Sequence, residues 1–84
     1  MGKAQEKAIA KAKAQLEIQK AHTQRMIDAG APEAGVQIAR RLILNFEMRV
    51  AHLESGKAEK DFDIFAAGRA ALAAFPSLQT KAVR

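Results

Sequence analysis

From Val36 to Leu53, apolar residues recur in an unbroken alternation of three and four: Val36, Ala39, Ile43, Phe46, Val50 and Leu53. That spacing marks one stripe of a helix packed lengthwise against a neighbour. Ile38 and Leu42 widen the stripe on one side, while Leu44 and Met48, with Ala51, form a second patch well round the helix. A helix that covers one side of a small domain needs only one stripe. The pattern therefore predicts a central helix over about 32–55, gripped from two directions.

The preceding segment is rich in Ala, Lys, Gln and Glu and lacks proline or internal glycine from residue 3 to residue 29, which predicts a helix over 2–29. Its apolar seam is modest: Ile9, Leu16, Thr23 and Ile27 share a narrow arc, flanked by Ala12, Gln19 and Met26. Between the two helices "DAGAPEAG" places Gly30 as a C-terminal cap and Pro32 as a first-turn residue. So short a connection predicts an antiparallel hairpin. The most buried residues of the second helix are expected to be Ile43, Phe46 and Val50, facing Leu16 and Ile27 of the first.

After the polar linker "ESGKAEK", the run "DFDIFAAGRAALAAF" predicts a third helix over 60–75. Asp61 is placed to cap it, with Asp63 in a first turn that favours negative charge. Phe62, Phe65, Leu72 and Phe75 recur near helical spacing, and the small residues Ala66, Ala67, Gly68, Ala70 and Ala71 invite close approach of another helix. Pro76 ends the pattern, and 76–84 is expected to be a basic tail with at most a short extra turn. The fold class is thus all-α: one domain over 1–84, a small three-helix bundle built on a long antiparallel hairpin.

Length and composition push this picture towards a partner. Of the 41 apolar residues among 84, nineteen are alanine, which buries little area, and there is no Trp or Tyr. Such a core is marginal for a lone chain. Helices of about 40, 35 and 22 Å also leave part of the long hairpin uncovered by the shortest. Ile18 stands about opposite the Ile9–Leu16 seam. A homodimer is the expected solution, burying Leu44, Met48 and part of the third helix, with Ile18, Ala51, Gly68 and Ala71 completing the protein-facing set.

The net charge of +5 lies at the ends. Residues 1–27 carry +4 and 76–84 carry +2, while the middle is balanced. Lys3, Lys7, Lys11 and Arg25 occupy an arc roughly opposite the first helix's seam, and with Arg40 and Arg41 they form a candidate phosphate-binding set. The plainer account is solubilising charge on a helical surface. No recognised reader of nucleic acid is discernible, and no Trp or Tyr can stack on bases.

Catalytic and metal chemistry find little support. There is no cysteine, and the two histidines, His22 and His52, stand on different helices without an i, i+4 partner, so no metal or other cofactor is expected. Thr23, Ser55, Ser77 and Thr80 have no evident base beside them, and Glu59, Asp61 and Asp63 are explained by a helix start. Gly30 and Gly35 bracket a turn rather than a phosphate loop. The Met-Gly start would suit myristoylation, but Glu6 stands where that signal wants Ser or Thr. No apolar run suits a signal peptide or membrane span, so a cytoplasmic protein is expected. The chain reads as a non-catalytic interaction module, an adaptor or inhibitor acting through an apolar helix face. Phosphate-dominated binding of nucleic acid through the basic first helix is the alternative.

Overall fold

A computed structural model describes residues 2–76, and these are helical with no strand. Helix α1 spans Lys3–Asp28, α2 spans Glu33–Glu54 and α3 spans Ile64–Ala74, with a single 3-10 turn at Glu59–Asp61 before α3. The basic tail expected at 77–84 lies outside the described residues.

Local chemistry accounts for each boundary. Helix α1 closes in paired bonds from Gly30 N to Ile27 O and from Ala31 N to Met26 O, and Gly30 takes φ +77°, which a side chain resists. Pro32 precedes Glu33 as the cap residue of α2, one position earlier than the first-turn place expected of it. Helix α2 ends at Ser55, whose Oγ donates to His52 O at 2.6 Å, and Gly56 at φ +91° turns the chain away. The third helix begins later than its pattern suggested. Asp63 Oδ1 accepts from Ala66 N at 2.9 Å, so Asp63 rather than Asp61 is the cap. Asp61 instead closes the 3-10 turn through its own amide, which donates to Ala58 O.

The hairpin is antiparallel as expected. Gln5 near the start of α1 donates from Nε2 to Leu53 O and Lys57 O, at 3.0 and 2.6 Å, at the far end of α2. At the opposite end Met26 lies beside Gly35. Helix α3 runs antiparallel to α2 on its other side, with Arg41 Nε donating to Phe75 O at 2.7 Å. The Cα trace measures 48 × 29 × 13 Å, and α1 and α3 each pack on α2. The described helices therefore lie side by side in a flattened layer, with α2 in the middle.

Flatness decides which side chains are buried. Along α2 the buried residues are Val36, Ala39, Val50 and Leu53, and among the described residues Leu53 alone of the large side chains is wholly enclosed. Ile43 and Phe46, expected with Val50 at the centre, are only half-buried beside Ala12, Leu16, Val50 and Leu53. Small residues such as Ala12 and Ala39 bring α1 and α2 close, so larger neighbours at the flanks emerge on the open sides. Ile27 is likewise exposed rather than facing the core, because the contact line of α1 runs through Ala12, Leu16 and Thr23. Thr23 is buried with its hydroxyl donating to Gln19 O at 2.8 Å, which removes the cost of an orphaned donor.

Candidate functional site

With α1 and α3 on opposite sides of α2, two sides of the central helix stay open, and their chemistry differs. One carries the exposed residues Arg40, Glu47 and Glu54, the last held by Lys13 Nζ at 2.8 Å. The other, about half a turn round, carries Ile38, Leu42, Asn45 and Arg49 in one row. Charge on one side and aliphatic surface on the other make the layer two-faced.

The apolar face continues onto α3. Ile38, Leu42 and Asn45 wall a groove whose far side is Leu72 and whose floor includes Gly68 and Ala71. Phe65 stands two turns before Leu72 on the same side of α3. Ile38 is 55% exposed, Leu42 46%, Phe65 76% and Leu72 50%. Four large apolar side chains so exposed present roughly 400–500 Å² of apolar surface on this side, within the range of the largest patches on monomers.

Two of the cations beside this face, Arg41 and Arg49, make contacts within the chain, and Arg69 is exposed between Phe65 and Leu72 on α3. The Arg41 guanidinium is tied to Phe75 O, as above. The Arg49 guanidinium carbon lies 4.7 Å from the centroid of the Phe62 ring, a cation–π contact. His52 meets the same ring edge-on, at 5.4 Å and 71°, and its Nε2–H donates to Ala58 O at 2.7 Å. Phe62 thereby pins the 3-10 segment to the end of α2. His52 is thus a partly buried structural contact, and His22 is exposed on α1.

The residues expected to face another protein are dispersed. Leu44 and Met48 are half-buried on the side of α2 that α3 covers, Leu44 beside Ala74 and Phe75 and Met48 near Ala66 and Ala67. Their partner is α3 of the same chain, because α3 folds back antiparallel along α2. Ala71 is buried in that junction with Ala67, whereas Gly68 is only partly covered. Ala51 is exposed near the 3-10 segment, and Ile18 is 64% exposed on the side of α1 turned from α2. Ile38, Leu42, Phe65 and Leu72 carry the open face. In sequence, Ile38 and Leu42 only widen a stripe, and Phe65 and Leu72 only recur near helical spacing. The signal that marks them is the width of apolar surface on α2 and α3, more than three helices in one layer can cover.

The candidate phosphate set is also not brought together. Lys3 and Lys7 flank Ala4, Glu6 and Ala10 on the first turns of α1, whereas Lys11 borders a cleft with Phe46, Arg49 and Glu59. Arg25 lies at the other end of α1, about 33 Å from Lys3 at 1.5 Å per residue. Arg40 opens on the charged face and Arg41 is bonded to Phe75.

Among the described residues no three His, Asp or Glu side chains converge as a metal would require. Thr23 and Ser55 both donate to backbone carbonyls, and Glu59, Asp61 and Asp63 are exposed in and after the 3-10 turn. Ser77 and Thr80 lie outside the described residues. No helix among them is long and apolar enough to cross a membrane. Compared with protein-family models, curated proteins and solved structures, the chain matches none.

Proposed function

We propose that this chain is a non-catalytic protein–protein interaction module, an adaptor or inhibitor whose working surface is the apolar face of Ile38, Leu42, Phe65 and Leu72. One observation carries the reading. Among the described residues α1 and α3 dock on opposite flanks of α2, and no further element covers that face. Helical domains gain stability by packing apolar surface against another layer, and a partner supplies what the chain lacks. The opposite face, with Arg40, Glu47 and Glu54, is suited to water. Self-association belongs to the same reading, since a surface that binds protein can also bind its own copy.

Recovery of bound molecules from the native cells, analysed for both protein and nucleic acid, tests the proposal. A protein partner should be lost with Leu42→Asp or Phe65→Asp and should respond only mildly to salt. Recovery of nucleic acid would overturn the proposal if binding depended on Lys3, Lys7, Lys11 and Arg25 and ignored Leu42 and Phe65. Four contacts to duplex phosphates would then give a log–log salt slope of roughly −3.6.

A further inference from the structure

We infer that the occupant of the apolar face is a second copy of this chain, seated face to face so that two single layers become one two-layered, six-helix body with Gly68 at the contact. The inference rests on the reading of that face as an interaction surface and adds to it the identity of the partner.

Gly68 is the independent observation. It lies in the interior of α3, where glycine is among the poorest residues for holding a helix. Nothing among the described residues requires it: a Cβ built there meets no atom within 4 Å, and its φ is not in the positive range. Ala67 and Ala71, rather than Gly68, are buried where α3 meets α2. The glycine sits instead on the floor of the open groove, between the Ile38–Leu42 wall and Leu72. A helix-interior glycine without an internal reason, on the floor of an exposed groove, fits close approach from outside.

Three properties of the chain favour its own copy over another protein. Among the described residues the core is thin, since four of the eight buried apolar residues are alanine and Leu53 is the one large side chain fully enclosed, and a partner layer would thicken it. A copy of the same chain is present wherever the chain is made. The face also contains both halves of a self-complementary joint, because the groove over Gly68 is bordered by the exposed Leu72, Ile38 and Leu42, and Phe65 protrudes from the same side of α3. A two-fold axis needs that arrangement, each ridge entering the other copy's groove. Finally, the exposed apolar area of roughly 400–500 Å², with the groove floor and the stems of Arg41 and Arg49, approaches the ~800 Å² per partner of a standard interface. Arg41, Arg49 and Arg69 keep their positive charge beside the face, so the apolar contact has to outweigh their repulsion and the pair should tighten as salt rises.

Sedimentation equilibrium over micromolar to hundreds-of-micromolar concentrations, with helical content followed by circular dichroism, tests this. The wild-type chain should show twice its 9.1 kDa mass. Gly68→Leu should raise the dimer dissociation constant roughly a hundredfold by filling the groove, and Gly68→Ala roughly tenfold, as expected for a central, closely packed contact. Gly68→Ala keeps the test independent of folding, because alanine favours the helix. Dimerisation weakened while helicity holds supports the inference. A dimer that Gly68→Ala leaves unchanged or tightens overturns it. A wild-type monomer mass throughout overturns the second copy alone, leaving the interaction surface to be judged by its own partner assay. A dimer indifferent to Gly68→Leu, Leu42→Asp and Phe65→Asp together removes both the second copy and the face.

Discussion

Leu53 is where the hairpin is fastened. Its side chain is wholly enclosed, and its carbonyl accepts the Gln5 amide from the start of α1. Leu53→Ala should cost roughly 2–5 kcal/mol, the range for emptying a large buried aliphatic site. Phe46→Ala should cost less than the ~3–5 kcal/mol of a buried aromatic, because the ring is only half-covered beside the core. Denaturant midpoints compare the two, and a larger loss at Phe46 would show that the packing face is misplaced. At the start of α3, Asp63→Ala should cost about 1 kcal/mol through the lost bond to Ala66 N, and Asp61→Ala should be near neutral. Equal losses at both would contradict that cap. Asp63 and Asp61 were indistinguishable in sequence, since each precedes an apolar run by a plausible distance. Leu53 was legible as a seam residue but not as its centre, because burial at a helix end depends on Gln5 and α1 closing over it.

At the scale of elements, the three helices and the antiparallel hairpin were legible because their signals are local. Gly30 shows this best. Its φ of +77° is costly for any residue with a Cβ, although open space surrounds it. Gly30→Ala should therefore destabilise by about 1 kcal/mol through backbone strain alone, measurable as a lowered melting temperature. An unchanged melting temperature would mean that the turn relaxes. By contrast, Lys13→Ala should change stability by less than ~1 kcal/mol despite its 2.8 Å approach to Glu54, since both side chains are about half exposed. The division of α2 between its neighbours was only partly legible. The second patch at Leu44 and Met48 was expected to meet another protein, and it is α3 of the same chain that lies beside it. Sequence spacing shows how many faces are apolar but cannot tell an internal neighbour from an external one.

Over the described residues the helices form a flattened layer, its Cα trace 13 Å in the thinnest direction, and no local pattern reveals that. Three helices of 26, 22 and 11 residues could surround a shared axis or lie side by side. They lie side by side because α2 is apolar on two nearly opposite flanks, which keeps α1 and α3 apart. The consequence is one charged face and one apolar face. The excess of apolar surface could be read from the sequence, but its position at Ile38, Leu42, Phe65 and Leu72 follows only from where α1 and α3 dock. An isotope-filtered nuclear Overhauser experiment on mixed labelled and unlabelled chains tests the central claim most directly. The account predicts intermolecular contacts from the Leu42 and Leu72 methyls and the Phe65 ring to the other copy. Intermolecular signals confined to Leu44 and Met48, or none at concentrations of hundreds of micromolar, would contradict it.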